Sequence, residues 1–569
     1  MTHSATHSAT NSTPAAGHTV ASLLRDRLGD HRPGYLFEDQ SWTWDEVVRE
    51  SGIRAAMLSS LRADGPFHVG VLLENVPEYL FLAGGAAFAG ATIVGINPTR
   101  RGDELARDIR HTDCQMIITD AAHLELLEDL DLGAATGRVF NIEVPGYADM
   151  VEACTAAGLP AADPPPDTIL FLLFTSGSTS APKAVVCSTE RLAMSGVRAA
   201  EGTKITFADV SYCCMPLFHG NALMACWAPS LAHGATVVLR RKFSASGFLA
   251  DVQRYRCTFF TYVGRTIAYV LAQPVSSHDS EHFLRLGFGT EASAQDRERF
   301  HYRFGCSLVE GYGSSESVII INRTPETPPN ALGLPRTAEG ADVVVVNPST
   351  LALCPAAVFN QHGGLVNGDA AIGELVNRSG GGRFEGYYNN TEATDDRLRN
   401  GWYWSGDLAY VDEQGFFYFA GRSADWLRVD SENFAAAPIE HILHRLTGVV
   451  MAAVYPVPDP RTGDQVMAAV EMAPGFRFDG EGFLAFLSEQ RDLGTKWAPR
   501  LIRVIADMPL TANNKVNKQP LRATAWFTTD ELWWQPIRAS SYRPFTPADA
   551  EATRAEFAEH DRLHMLAPH

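Results

Sequence analysis

Along most of the chain, short apolar runs alternate with stretches whose apolar positions recur every three or four residues. Residues 44–61 carry the helical period, opened by Trp44-Asp45-Glu46-Val47, and residues 68–73 form an apolar run of strand length. The alternation continues with a helix over 77–89, a strand over 91–96, a helix over 104–111 and a strand over 116–119. Two uncharged strands over 168–174 and 184–187 flank a loop rich in Ser, Thr and Gly. Further strands are expected at 211–219, 235–239 and 307–309, the last preceded by a helix over 293–304. Strands alternating with helices predict doubly wound α/β layers around parallel sheet.

The pattern then changes. Around 341–346 and 416–419 the strands shorten into a β-rich subdomain, and Gly421-Arg-Ser-Ala-Asp425 interrupts it as a candidate hinge. Beyond it a helix over 437–446 and strands over 449–455 and 466–471 predict a small, mobile α+β domain. The expected division is a disordered tail over 1–18, a large domain over 19–422, a hinge at 423–425 and a small domain over 426–522. An extension over 523–569 follows, with a helix start at Thr546-Pro547-Ala548-Asp549.

At 569 residues the chain exceeds one ordinary core, which agrees with two or more domains. Its formal charge of −19 argues against nucleic acid or an anionic membrane as the main partner. Anionic ligands therefore need local basic patches. Nine cysteines without a C-x-x-C pair, two of them adjacent at Cys213 and Cys214, fit reduced thiols and a cytoplasmic protein without a zinc site. His3 and His7 lie on the polar tail, where chance spacing explains them better than metal binding. The uncharged run over 79–98 holds several glycines and alanines and reads as a buried helix passing into a buried strand, not a membrane span. Peripheral contact with a membrane and a homodimer stay open.

The loop Thr175-Ser176-Gly177-Ser178-Thr179-Ser180-Ala181-Pro182-Lys183 is dense in hydroxyl and backbone N–H donors. Such a nest suits a polyphosphate, Gly177 admits close approach, and Lys183 adds a fixed positive charge. It is not a Walker loop, since no glycine directly precedes Lys183. A solvated Ser/Thr loop is the alternative for this stretch alone. Downstream, Glu310-Gly311-Tyr312-Gly313-Ser314-Ser315-Glu316 puts two glycines around a ring able to lie against a purine, and Glu316 offers a hard oxygen to Mg²⁺. Trp404-Ser405-Gly406-Asp407 presents a carboxylate at a turn.

Together these motifs resemble the adenylate-forming superfamily of acyl-CoA synthetases, luciferases and peptide-synthetase adenylation domains. The resemblance spans roughly residues 30–535. It implies that 175–183 bind phosphate, that the 310–316 stretch holds adenine and Mg²⁺, and that Asp407 and Arg422 contact ribose. It further implies that Lys515, in Pro509-Leu-Thr-Ala-Asn-Asn-Lys515, stabilises charge during adenylation. Pro216-Leu-Phe-His219-Gly220 looks like the gate beside the acyl carboxylate. Thr261-Tyr262-Val263-Gly264 and Leu286-Gly287-Phe288-Gly289-Thr290 look like the fatty-acid-transport and very-long-chain branch. In that branch Gly289 and Thr290 line the nucleotide, and Tyr262, Gly264 and Gly287 the acyl passage. ATP, CoA, Mg²⁺ and a medium-to-very-long-chain fatty acid are the implied ligands.

Several positions depart from the family pattern. Ser180, Ala184 and Asn514 stand where glycines are usual, Ser315 replaces a threonine, and Ala424 replaces a charged hinge residue. Ser431 replaces a glycine lining the pantetheine passage, which keeps open an acyl-AMP ligase that loads a carrier protein. A non-catalytic lipid- or nucleotide-binding relative is the alternative of another class. Joint retention of Lys183, Glu316, Asp407, Arg422 and Lys515 counts against it.

Overall fold

The computed structural model describes residues 17–175, 183–336, 342–361, 365–422, 426–429, 432–461, 463–490, 492–493, 497–511, 515–536 and 541–566. The tail call falls almost wholly outside these, as do Ser176, Gly177, Ser178, Thr179, the hinge at 423–425 and Ser431.

Two sheets build most of the large domain. In one, the strands Val139–Asn141, Cys114–Thr119, His68–Leu72, Thr92–Gly95 and Ile169–Phe174 lie side by side and parallel. Ala184–Ser188 closes that sheet as an antiparallel edge. In the other, Thr236–Leu239, Val210–Cys213, Phe259–Val263, Leu286–Thr290 and Ser307–Tyr312 run parallel in that order. Fully buried strands such as His68–Leu72 read as unbroken apolar runs because both faces are covered. No helix among the described residues is long and apolar enough to cross a membrane.

One apolar core joins the two sheets, containing Val71 and Phe171 from the first, Tyr212 and Phe260 from the second, and helix residues between them. The helix Pro77–Ala89 is buried on nearly every side, which explains its uniform apolarity. A Cβ on Gly84 would come within 2.2 Å of Ser51 Oγ, and one on Gly85 within 2.7 Å of Arg54 Cβ. Those two glycines therefore set how closely this helix packs on Trp44–Ser60. Arg54 is buried there and pairs with Glu78 at 2.6 Å, so the cation is compensated where it is dry.

The β-rich subdomain is an antiparallel sheet of Val343–Val346, Gly373–Asn377, Tyr403–Val411 and Phe417–Arg422. The small domain is a five-stranded sheet, Val449–Pro458, Asp464–Met472, Leu501–Ile505, Glu531–Trp534 and Arg543–Pro544. Its last two strands lie beyond residue 523, so part of the expected extension continues the small domain's own sheet. Helix Pro547–Glu559 starts at Thr546 with a reciprocal cap to Asp549, as the sequence predicts. It returns Phe557, fully buried, to a core shared with Tyr455, Met467 and Trp526. Ala268 of the large domain joins this cluster, and Tyr269 donates to Glu471 at 2.7 Å, so the small domain is docked on the large one.

Phe557→Ala should cost about 3–5 kcal/mol, the usual range for emptying a buried aromatic site. Thermal unfolding should show a clearly lowered melting temperature. An unchanged transition would mean that the last helix contributes no core.

Candidate active site

The strand ends of both sheets, the β-rich subdomain and the small domain converge on one cavity of about 1030 Å³. Its wall includes Thr175, Lys183, His219, Gly220, Thr290, Glu310, Gly311, Tyr312, Gly313, Ser315, Glu316, Asp407 and Lys515. Residues spread over 340 positions of sequence are thus brought to one place, at strand C-termini where open α/β sheets bind ligands.

The hairpin Ile169–Phe174 and Ala184–Ser188 holds the base of the phosphate loop, where Thr175 N donates to Lys183 O at 3.0 Å. Lys183 is half-buried with its ammonium 5.9 Å from the Tyr387 ring centroid. Burial, and next the nearby Arg397 guanidinium, hold its pKa below the ordinary lysine value. Glu316 is 5% exposed and accepts a 2.6 Å hydrogen bond from the Tyr387 hydroxyl. Arg397 Nε donates to that same hydroxyl at 3.2 Å. Arg191, also buried, donates to Val186 O and to Ser315 O, tying the phosphate-loop strand to the segment that carries Glu316.

Tyr312 ends the strand Ser307–Tyr312 and donates to Asp407 Oδ2 at 2.6 Å. Asp407 faces Arg422 as its cross-strand partner, which brings both expected ribose contacts to one rung. Gly406 is left-handed at φ 73°, and a Cβ there would meet Arg397 Nη1 at 2.6 Å. Glu310 is engaged differently from the nucleotide contact expected of it. Its carboxylate accepts from Ala292 N at 2.5 Å and Arg297 Nη1 at 2.7 Å, and burial pushes its pKa up to about 7. It therefore braces the loop after strand Leu286–Thr290.

Alternation along that strand bears on two expectations, and packing against its neighbour on two more. Leu286, Phe288 and Thr290 face the cavity, so Gly287 and Gly289 point the other way. A Cβ on Gly287 would meet Phe260 Cζ at 2.6 Å, and one on Gly289 would meet Tyr262 O at 2.3 Å. Gly264 is closed by Glu291 O, only 1.9 Å from where its Cβ would stand. Tyr262 itself is 1% exposed with its hydroxyl towards Val309 O at 3.4 Å. These four residues form a packed layer behind the wall and do not line the passage.

Gly220 lines the cavity, where a Cβ would stand 3.2 Å from Ser315 Oγ and 3.6 Å from Met224 Sδ. His219 precedes it, and burial, then the Lys515 charge, lower its pKa from 6.5 to about 4. Lys515 reaches the cavity from the small domain and pairs with Glu291 at 2.7 Å. Glu291 holds a left-handed backbone at φ 71°, unusual for a non-glycine residue and suggestive of a functional constraint. Tyr387, Arg397, Arg191 and Glu291 escaped the sequence reading. The helix Thr391–Arg397 looks like an ordinary charged surface helix, and only its Gly-Tyr-Tyr approach hinted at a buried aromatic.

The cavity gathers cationic, carboxylate and hydroxyl side chains at the strand ends and takes in a lysine from the second domain. The chain belongs to the AMP-binding enzyme family, whose model matches residues 26–388, with the AMP-binding enzyme C-terminal domain matching 438–515. Among curated relatives, a steroid-22-oyl-CoA synthetase of Rhodococcus jostii is 52% identical over 96% of this chain and 99% of its own length. Medium/long-chain-fatty-acid–CoA ligases of Mycobacterium marinum and Mycobacterium tuberculosis are 41% and 42% identical, over 93% and 91% of this chain and 100% and 99% of theirs. The fold is similar to that of an anthranilate CoA ligase bound to anthranoyl-AMP (TM-score 0.78, 21% identity, 90% and 98% covered). It is also similar to that of ATP-bound MatB from Rhodopseudomonas palustris (TM-score 0.76, 23% identity, 89% and 98% covered). The protein is an AMP-forming acid–CoA ligase, a class whose co-substrates are ATP and CoA.

His219 should stay neutral throughout the physiological range. An unfolded histidine binds its proton near pH 6.5, whereas the folded site resists until about 4, so acidification through this window removes stability. His219→Gln should lose less melting temperature than the wild type between pH 6.5 and 4.5. Parallel loss in both would show that His219 titrates normally.

Proposed function

We propose that the enzyme activates a carboxylic acid carried on a large apolar body, foremost a steroid acid, as acyl-AMP and then as the CoA thioester. The observation that carries this reading is the shape of the cavity beyond Gly220. Helix Thr189–Thr203 presents Ser195, Ala199 and Gly202 to it at four- and three-residue spacing, with the long side chain of Arg198 among them. Opposite stand Leu286, Phe288 and Val309, with Met224 and Ala225 beside the gate. Three small residues on one wall facing apolar ones on the other give room and apolar contact for a polycyclic skeleton. The 52% identical relative named for a steroid-22-oyl substrate supports it. Medium- to very-long-chain fatty acids are the second reading, favoured by the relatives at 41% and 42% identity. A cavity of about 1030 Å³ sits at the top of the roughly 300–1,000 Å³ typical of single-ligand sites, leaving room for nucleotide and acid together.

In the first half-reaction a carboxylate oxygen attacks the α-phosphorus and pyrophosphate leaves. Lys515 neutralises charge on the attacked group, while Thr175, Lys183 and the loop between them hold the phosphates. Asp407 and Arg422 fix the ribose, and Tyr312 and Gly313 border the base. Glu316 fits a magnesium ion bound through ATP. One buried carboxylate at the phosphate end is the usual protein contribution to such an ion, whose remaining ligands are phosphate oxygens and water. When bound, that ion offsets phosphate charge. In the second half-reaction the thiol sulfur of CoA attacks the acyl carbon, and AMP departs with the bonding pair. The small domain turns about 423–425 between the two, withdrawing Lys515, and the chain around Ser431 then borders the pantetheine route.

Lys515→Ala should slow acyl-AMP formation roughly 10²–10³-fold, the cost of removing one charge-stabilising donor. Conversion of supplied acyl-AMP and CoA should stay near the wild-type rate. Equal damage to both half-reactions would refute the domain turn.

ATP–pyrophosphate exchange over a panel of acids tests the substrate. Steroid acids with a short side-chain carboxylate should outcompete fatty acids, and both should exceed benzoate and amino acids, since the gate segment 219–226 offers no carboxylate to an ammonium group. Preference for fatty acids would select the second reading. Preference for benzoate or amino acids would reject both.

A further inference from the structure

Resting on the reading of this cavity as the nucleotide site, we propose that Arg397 binds the β- and γ-phosphates of ATP together with Lys183, and so holds the pyrophosphate as it leaves. Arg397 stands at the C-terminal end of helix Thr391–Arg397, half-buried, with its guanidinium on the cavity wall. Its position is fixed by groups that carry no charge. Nε donates to the Tyr387 hydroxyl at 3.2 Å and Nη1 to Trp404 O at 3.0 Å. Two of the five N–H donors of a guanidinium are thereby engaged, and Nη2 makes no hydrogen bond to the described residues.

Gly406 completes the cradle. Any side chain there would overlap Nη1, so the turn that presents Asp407 also leaves the space Arg397 occupies.

The charge balance points the same way. Neither Arg397 nor Lys183 has a carboxylate within 4.0 Å among the described residues. Both are half-buried and lie close enough that the guanidinium disfavours the charged lysine. A recess in which one cation disfavours the charge of another is a natural seat for an anion. At longer range Asp396 and then Glu316 act on the lysine, and Glu316, held by the Tyr387 hydroxyl that Arg397 also touches, acts on both cations. A planar fork with free N–H groups beside a lysine matches the oxygens of a polyphosphate. A purely structural arginine bracing Tyr387 and Trp404 would need neither the second cation nor an open Nη2.

Titration calorimetry on the full-length enzyme with Mg-ATP, magnesium pyrophosphate and AMP tests the assignment. Arg397→Gln should bind ATP and pyrophosphate about 10- to 100-fold more weakly, the effect of one lost charge-assisted hydrogen bond, with AMP affinity unchanged. Equal weakening towards AMP would mark a structural role, and unchanged ATP affinity would mark none; either overturns the proposal. If Arg397→Gln does not fold, the ATP-to-AMP affinity ratio of Arg397→Lys decides, a fall supporting the proposal and an unchanged ratio overturning it. A wild-type enzyme that neither binds ATP nor exchanges pyrophosphate would instead refute the nucleotide reading itself, before any variant is compared.

Discussion

The hydrogen bond from Tyr387 to Glu316 is the contact on which the site depends. A carboxylate only 5% exposed must be compensated, and no cation among the described residues touches it directly. The Tyr387 hydroxyl supplies one strong donor and is itself oriented by Arg397 Nε. Tyr387 also bridges to Val185 in the strand that follows the phosphate loop, so the donor is anchored to the segment it serves. Arg191 completes the connection from the other side by donating to Val186 O and Ser315 O. Three stretches distant in sequence, near 185, 316 and 387, are thus held in one register. A change in any of them moves Glu316 relative to Lys183.

The ion pair between Lys515 and Glu291 has a different character. It joins two domains, both partners keep some exposure to solvent, and its geometry includes a left-handed residue. Exposed pairs contribute little to stability, so this contact orients Lys515 without locking the domain. A substrate carboxylate entering past Gly220 would compete with Glu291 for the same ammonium. The buried surface that seats the small domain lies elsewhere, around Ala268 and Tyr269. The proposed withdrawal of Lys515 would therefore break an exposed ion pair and leave the apolar core of each domain whole.

Much of this architecture was legible in the sequence because buried parallel strands have to be apolar throughout. The strands at 68–72, 92–95, 169–174 and 184–188 and the helices at 44–60 and 77–89 follow directly from apolar period and length. The motif residues Glu316, Tyr312, Asp407 and Lys515 do meet in one cavity. The glycines of Leu286–Thr290 were misread for a physical reason. A glycine in a strand carries no side chain to reveal its face, and only the pleat shows that 287 and 289 look towards Phe260 and Tyr262. Arg397 was invisible because Thr391-Glu-Ala-Thr-Asp-Asp-Arg397 has the composition of a solvated helix. Its burial is imposed by Trp404 and Gly406, which approach only in three dimensions. The joining of residues beyond 523 to the small domain is similarly a matter of long-range strand pairing.

Charge distribution reconciles the acidic chain with its anionic ligands. A protein of formal charge −19 repels ATP and CoA at long range, the more so at low ionic strength. Binding therefore has to come from short-range cations in a low-dielectric recess, where each interaction is stronger than at the surface. Lys183, Arg397 and Lys515 occupy that recess, and none of the three is fully buried. Partial exposure keeps all three in reach of solvent while the site awaits its ligand. On the assignment proposed above, a polyphosphate between the half-buried Lys183 and Arg397 would relieve the repulsion the lysine feels as well as make contacts. When pyrophosphate leaves, that repulsion returns at the phosphate end alone, while acyl-AMP keeps its contacts to Asp407. On this assignment the two cations therefore hold pyrophosphate back, and its departure has to be driven by hydration of the free anion in bulk water.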